Sequence, residues 1–178
     1  MKPILLCAGI FGACLLSFPA QAEAPATFKV SEFTFNRPAD WEWVEQTSQM
    51  RKAQLKVTDS KSKATADVIF FYFGPGNGGG TKANVERWYS QFQEPRDKIN
   101  PRSDEATIGK HKVTYVQAEG TYLSGMPGGP QTPMPGFALA GAIIEAEQGS
   151  VFVRMTGPKD LVNASLAEFK KMVESGLK

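Results

Sequence analysis

Cysteine, histidine and long apolar runs are scarce in this chain of 178 residues. Its two cysteines, Cys7 and Cys14, both lie within residues 1–22. Residues 23–178 therefore predict no disulfide, no thiolate metal site and no cysteine nucleophile. The single histidine, His111, cannot by itself form a catalytic triad or a multi-histidine metal site. The sequence accordingly predicts neither a metal nor a cofactor.

Residues 1–22 have the organisation of a cleavable export signal. Lys2 precedes a mostly apolar segment at residues 4–18, and residues 19–22 end in the small-x-small pattern that signal peptidases cut. We expect a mature chain that begins at Glu23, forms a single domain over residues 23–178 and is periplasmic or secreted. A lipid anchor at Cys14 is the disfavoured alternative, because Phe11 stands where lipoprotein signals usually carry leucine.

Neither a membrane span nor a nucleic-acid surface is predicted. No stretch after the signal approaches the ~20 apolar residues that a membrane-spanning helix needs. The formal net charge is +2, and acidic and basic residues are interleaved without a block of lysine or arginine. The partner is unknown from the sequence, and a protein or another envelope component is the kind expected.

The strongest local pattern runs from residue 67 to residue 94. Residues 68–73 are apolar at every position, which predicts a central strand covered on both faces. A glycine-rich loop follows, and then apolar residues recur at the spacing of one helix face. This stripe consists of Val85, Trp88, Tyr89 and Phe92. Thr81 is expected to cap the start of the helix and Pro95 to stop it.

Alternating and helical patterns elsewhere predict an α+β domain. Strands are expected around residues 33–35, 41–44, 51–59, 106–108, 111–122, 137–147 and 151–156. Residues 123–136, rich in glycine and proline, predict a long loop, and residues 159–176 predict a closing helix. The predicted architecture is a twisted, mainly antiparallel sheet covered by at least two helices.

Two patterns carry a resemblance to known proteins. The spacing Phe33-x-Phe35-x-x-Pro38-x-x-Trp41 and the order of elements after it resemble the PsbP-like α/β/α sandwich. That fold is shared by the photosystem II extrinsic protein, certain Ran-binding proteins and some exported bacterial proteins. The resemblance implies this fold and a role in binding or assembly, although fold alone does not fix function.

The second pattern follows the glycine loop. Asn84-x-x-Arg87-Trp88-x-x-Gln91-Phe92 is similar to a pattern in small uncharacterised exported bacterial proteins. This resemblance implies no activity.

The glycine loop literally matches a dinucleotide-binding fingerprint, Gly74-x-Gly76-x-x-Gly79. That fingerprint needs a parallel βαβ unit, with an acidic residue near the end of its second strand about twenty positions on. The strands here are predicted antiparallel, and the polar segment at residues 95–98 lies where that strand end would be. The order Gly80-Thr81-Lys82 also inverts the Walker pattern. Generic anion binding at this loop stays open.

Titratable residues favour solvated surface positions over chemistry. Glu145 and Glu147 would share one face of a strand, where they could form an acid–base or calcium pair, but plain alternation explains them better. His111 lies between two lysines beside a turn and is predicted to be solvated. Arg87, expected in the first turns of its helix, is predicted to pair with Glu86 or another local carboxylate rather than with a ligand.

Two functions follow from these patterns. The leading hypothesis is an exported, non-catalytic binding or assembly module whose site lies on the loops at residues 74–80 and 123–136. The loops would form one site if their strands run side by side and parallel. The candidate binding residues are Gly76, Asn77, Gly79, Thr81, Lys82, Arg87, Trp88, Met126 and Gln131. The alternative is an envelope hydrolase or other enzyme at the same loops, although no nucleophile and base stand in a recognisable arrangement.

Overall fold

The computed structural model describes residues 24–46, 48–125 and 129–178. The predicted export signal, its cleavage point and Cys14 lie outside the described residues, as does Met126. Within the described chain, no helix is long and apolar enough to cross a membrane.

Seven strands form one sheet, and two more form a separate hairpin. The hairpin consists of β1 (Thr27–Val30) and β2 (Phe33–Asn36). The sheet strands are β3 (Glu42–Trp43), β4 (Arg51–Thr58), β5 (Thr65–Tyr72), β6 (Arg102–Ile108), β7 (His111–Gly125), β8 (Gln131–Ile144) and β9 (Val151–Pro158). They lie in the order β3-β4-β5-β9-β8-β7-β6, and neighbouring strands pair antiparallel throughout the described chain. The predicted antiparallel sheet is confirmed.

Two helices cover opposite faces of this sheet. Helix α2 (Lys159–Ser175) and the β1–β2 hairpin bury one face, where Phe35, Phe70 and Phe169 belong to the main core. Helix α1 (Thr81–Tyr89) packs on the other face, where Val116 and Ile143 belong to a second core. Side chains that alternate along each strand supply both cores. The α/β/α layering and the α+β class are as predicted, and β5 is central.

The tryptophans near the start of the chain pack in the main core. Trp41 is buried and Trp43 is partly buried against the same cluster. The strand predicted at residues 41–44 shortens to Glu42–Trp43.

Helix α1 is shorter than predicted. Its N-cap is Gly80, in an extended conformation, so Thr81 is the first helical residue and the predicted threonine cap is wrong. The helix ends at Tyr89, well before Pro95, because Phe92 turns away to form a β-bridge with Tyr122. The apolar stripe is nevertheless buried at all four predicted positions.

The loop predicted at residues 123–136 is mostly a β-hairpin. Leu123 pairs with Pro133 and Gly125 with Gln131, so β7 and β8 extend far beyond the rest of the sheet. Pairing of β8 with β9 stops at Phe137, so the other edge of this arm has no partner strand in the described residues. Proline has no backbone N–H to donate to a neighbouring strand, so it is tolerated at an edge where no neighbouring strand pairs.

Candidate functional site

A groove lies between α1 and the part of the sheet that α1 leaves uncovered. Its cavity has a volume of about 570 Å³. The side chains that characterise it are three arginines and four aromatics: Arg51, Arg87, Arg154, Phe71, Phe73, Trp88 and Phe152. We refer to it as the arginine groove.

Apolar side chains form a continuous surface along the groove. The rings of Phe71 and Phe73 stack with centroids 6.3 Å apart, and Phe73 also contacts Phe152 at 5.9 Å. Phe73 is 42% exposed and Met50 is 60% exposed, and they are the two exposed large apolar side chains among the described residues. Both line this one groove. Such a concentration of exposed apolar surface is typical of a binding site.

Each of the three arginines is held by a side-chain amide. Arg51 Nη1 donates to Gln54 Oε1 at 2.9 Å, Arg87 Nη1 to Asn84 Oδ1 at 2.8 Å, and Arg154 Nη1 to Gln91 Oε1 at 3.0 Å. Within the described ranges, the salt bridges of the chain involve other residues. The amide oxygens orient the guanidinium groups without neutralising them, so the groove carries uncompensated positive charge.

Arg154 is the most enclosed of these cations. It lies on β9 among residues that face α1, and its guanidinium carbon is 5.6 Å from the centroid of the Phe71 ring. Its Nε is buried and has no hydrogen-bond partner in the described structure. Burial lowers the pKa of Arg154, and the nearby charge of Arg51 lowers it further, while Tyr122 acts in the opposite direction. An arginine remains protonated at neutral pH even so.

The pattern from Asn84 to Gln91 builds the wall of the groove that α1 provides. Asn84 is 3% exposed, and its Nδ2 donates to the carbonyl oxygens of Gly78 at 2.9 Å and Gly80 at 3.0 Å. Its Oδ1 then accepts from Arg87, one helical turn on. Asn84 therefore fixes both the end of the glycine loop and the arginine side chain.

Two further residues of the pattern connect α1 to the sheet. Trp88 lies directly against Gly141 of β8, where a side chain of any size would collide with the indole. Gln91 Oε1 accepts from Arg154 and, at 3.2 Å, from Tyr122 Oη. The pattern thus places Asn84 and Gln91 on one wall of the groove, where they accept hydrogen bonds from Arg87 and Arg154.

The predictions for Arg87 need correction in two respects. Arg87 lies in the last turn of α1, where a cation is favourable, and not in the first. Its predicted partner Glu86 pairs instead with Arg96, whose Nη1 is 2.6 Å from Glu86 Oε2. Arg87 remains available on the rim of the groove.

The glycine loop at residues 74–80 forms a separate cavity of about 410 Å³ with residues 146–150. Gly74, Gly76 and Gly79 adopt positive φ, which explains the glycine spacing as a requirement of the turn. The strand after α1 is β6 at the far edge of the sheet, so the parallel βαβ unit of a dinucleotide site does not form here. Gly76, Asn77 and Lys82 are exposed on this loop and the start of α1.

Thr81 has a structural partner. Its Oγ1 donates to Glu145 Oε1 at 2.7 Å and so links the start of α1 to the segment after β8. Strand β8 ends at Ile144, so Glu145 and Glu147 do not share a strand face as predicted. The peptide N–H of Glu145 still donates to Lys112, which keeps this segment next to β7.

His111 is less solvated than the sequence predicted. Its ring is partly buried and packs edge-on against Phe33 with centroids 4.9 Å apart. Its Nδ1 lies 3.2 Å from the carbonyl oxygen of Glu145. In the described part of the chain, no group of three or more histidine, aspartate or glutamate residues is arranged to hold a metal ion.

The two predicted loops do not meet through parallel strands. Strands β5 and β7 are separated by β9 and β8, and successive antiparallel pairings make them run in opposite directions. Gln131 is exposed and pairs with Gly125, which itself lines the arginine groove. The pairing register of this hairpin arm shifts between Gly120 and Tyr122, and an irregularity of this kind bends a strand.

A backbone hydrogen bond fixes this arm against the end of α1. Leu123 N donates to Gln91 O at 2.7 Å. Of the candidate binding residues, the structure brings Arg87 and Trp88 together in the groove. Gly76 and Gly79 line the separate cavity of the glycine loop instead, and Asn77, Thr81 and Lys82 line neither cavity.

Several groove residues were not predicted from the sequence as part of a site. Arg51 begins the strand predicted at residues 51–59 and Met50 lies just before it, while residues 71 and 73 belong to the strand predicted to be covered on both faces. Arg154 offered a usable signal, because it is a lone charge within an apolar run at residues 151–155.

Comparison with known proteins gives the fold. The chain is similar to the solution structure of cyanobacterial PsbP (CyanoP) from Synechocystis sp. PCC 6803, with a TM-score of 0.52 and 10% sequence identity. The similarity covers 92% of this chain and 96% of that chain. No protein-family model and no curated protein matches the sequence. The chain therefore has a PsbP-like fold, as the first sequence resemblance implied.

Proposed function

We propose that this chain is an exported, non-catalytic module that binds a component of the cell envelope in the arginine groove. The observation that carries the proposal is the convergence of Met50 and Phe73 on one cavity. Large apolar side chains that are exposed together mark interaction sites. Both of these side chains adjoin a cavity of the size that small-molecule sites have. The PsbP-like fold is compatible with such a role, and residues 1–22 support export.

Binding in the groove can be tested with N-phenyl-1-naphthylamine, an uncharged dye that fluoresces in apolar surroundings. We expect saturable binding to the protein purified from the periplasm. Phe73→Ser and Met50→Ser should each weaken it roughly 3- to 10-fold, because part of the apolar contact area is lost.

A matched variant on the opposite side of the sheet provides the control. Leu161→Ser removes a partly buried apolar side chain from α2, and dye affinity should stay within about 2-fold of the parent. Absence of saturable binding, or an equal loss in the Leu161 variant, would contradict the groove as the binding surface.

Export and the native component need separate measurements. N-terminal sequencing of the processed protein should begin at Glu23, whereas a lipidated start at Cys14 would replace the soluble form with an anchored one. Affinity capture of the tagged protein from its envelope fraction, followed by mass spectrometry of proteins and of solvent-extracted small molecules, should retain a component that the Phe73→Ser variant loses.

A further inference from the structure

We infer that the ligand of the arginine groove is a small anionic amphiphile, with one carboxylate, sulfate or phosphate head group on an apolar chain or ring system. The inference rests on the proposed function and adds the chemical class of the ligand. It follows from the charge, the apolar surface and the size of the groove.

The charge of the groove requires an anion. Arg51, Arg87 and Arg154 each donate to an amide oxygen, and none of them forms a salt bridge within the described chain. Each guanidinium has five N–H donors, so one amide contact leaves most of its hydrogen-bonding capacity unused. Guanidinium groups bind carboxylate, sulfate and phosphate oxygens in paired hydrogen bonds, which an amide cannot supply.

Arg154 gives the anion its position. Arg154 is partly buried on a strand face where Phe152 belongs to the second core, and a partly desolvated cation without a counter-ion is unfavourable for folding. Asp67 lies on this face of β5 but forms no salt bridge with Arg154 in the described structure, and its Oδ1 accepts from Gln54 Nε2 at 3.1 Å. Arg154 lines the groove, and the terminal N–H groups that its one bond to Gln91 leaves free are the donors that a head group would satisfy.

The remaining groove surface requires an apolar body. Phe71, Phe73 and Phe152 form a run of contacting rings, and Met50 borders them. Inorganic phosphate alone would leave this surface exposed, and an uncharged hydrocarbon would leave the arginines unpaired. A volume of about 570 Å³ also falls within the ~300–1,000 Å³ range of small-molecule sites.

The inference can be tested by displacing N-phenyl-1-naphthylamine with twelve-carbon ligands that differ in the head group. Dodecanoate, dodecyl sulfate and dodecyl phosphate are compared with dodecan-1-ol and dodecyltrimethylammonium, all below their micelle concentrations. We expect the best anionic ligand to bind at least ~10-fold more tightly than the alcohol, because it gains charge-assisted hydrogen bonds. The ranking of the three anions then identifies the head group.

Variants locate the head group at the arginines. Arg154→Met should weaken binding of the best anion roughly 10- to 100-fold and leave dodecan-1-ol within about 2-fold. The double variant Arg51→Gln with Arg87→Gln removes the two exposed charges at the rim of the groove and leaves Arg154 in place. Arg102→Met removes an exposed arginine from β6 at the far edge of the sheet and should change neither affinity.

The outcomes separate the two proposals. If the dye binds but anion and alcohol compete equally, or Arg154→Met and the rim variant leave the anion preference intact, the inference is wrong and the proposed function stands. If inorganic phosphate displaces the dye as well as the amphiphiles do, the apolar body is unnecessary and the inference again fails. If the dye does not bind at all, both proposals fail.

Discussion

Replacing Gly141 with alanine should destabilise the protein through one contact. Gly141 lies on β8 beneath Trp88, and an added Cβ would be 2.6 Å from Cε3 and 2.9 Å from Cη2 of the indole, and closer still to Cζ3. Trp88 is 6% exposed, so moving its indole away from Gly141 disturbs a packed side chain. Because Gly141 does not have a positive φ, the glycine is needed here for space alone.

The magnitude of this effect has two bounds. Overpacking a core that relaxes locally costs about 1–3 kcal/mol. Losing the packing of a buried tryptophan altogether costs about 3–5 kcal/mol. A contact this close forces the whole indole to move, so we expect the free energy of unfolding to fall by roughly 2–4 kcal/mol. For a domain of this size, that corresponds to a melting temperature lower by roughly 5–15 °C.

Urea unfolding followed by circular dichroism measures the change, and a double-mutant cycle tests its cause. In a Trp88→Leu background the smaller side chain leaves room for a methyl group, so adding Gly141→Ala should cost less than about 1 kcal/mol. An equal cost in both backgrounds would refute the assigned contact. The single variant should also bind N-phenyl-1-naphthylamine more weakly, because Trp88 lines the groove.

Three further predictions concern single side chains. Arg154→Met should leave the free energy of unfolding within about 1 kcal/mol of the parent or raise it, because removing a partly buried charge without a counter-ion offsets the lost hydrogen bond to Gln91, and a larger decrease would contradict this. Burial raises the pKa of Tyr115 to about 12, with the charge of Glu174 adding to the shift. Its contribution to stability is therefore complete below the ordinary pKa of about 10 and is lost as the pH rises through about 12. Tyr115→Phe should reduce the alkaline loss seen in urea unfolding at about pH 9 and pH 11.5, and an identical loss would exclude this tyrosine. Thr81→Val should cost about 0.5–1.5 kcal/mol, because its hydrogen bond to Glu145 is lost, whereas Thr81→Ser should retain most of the stability.

Much of the fold could be predicted because local periodicity reports burial. The continuous apolar run of β5 predicts a strand inside the sheet, and the stripe on α1 requires one partner face, whatever the partners are. The hairpin at residues 123–136 could not be predicted in the same way. Its glycine and proline content is typical of a loop, and what makes it a strand pair is the register of β7 against β8.

Part of the candidate site could be predicted from the sequence for a similar reason. Arg87 and Trp88 follow a conspicuous loop on a recognisable helix. Met50 and Phe73 are far apart in sequence and come together in one groove when β4 and β5 pair. Whether the charge of Arg154 has a counter-ion depends on the residues packed around it. Only tertiary contacts determine whether an arginine has a carboxylate partner.

The location of the groove follows from the unequal cover of the two faces of the sheet. A helix is about 10–12 Å across, and seven strands about 4.8 Å apart make a face roughly 30 Å wide. On one face, α2 with 17 residues and the β1–β2 hairpin together bury this width. On the other, α1 has 9 residues and packs over β7 and β8. The neighbouring strip of β5 and β9 keeps apolar residues, which a sheet facing water permanently would not require. An amphiphile in the arginine groove would complete the missing layer over this strip and supply the counter-ion of Arg154, so that one ligand accounts for both departures from an ordinary core.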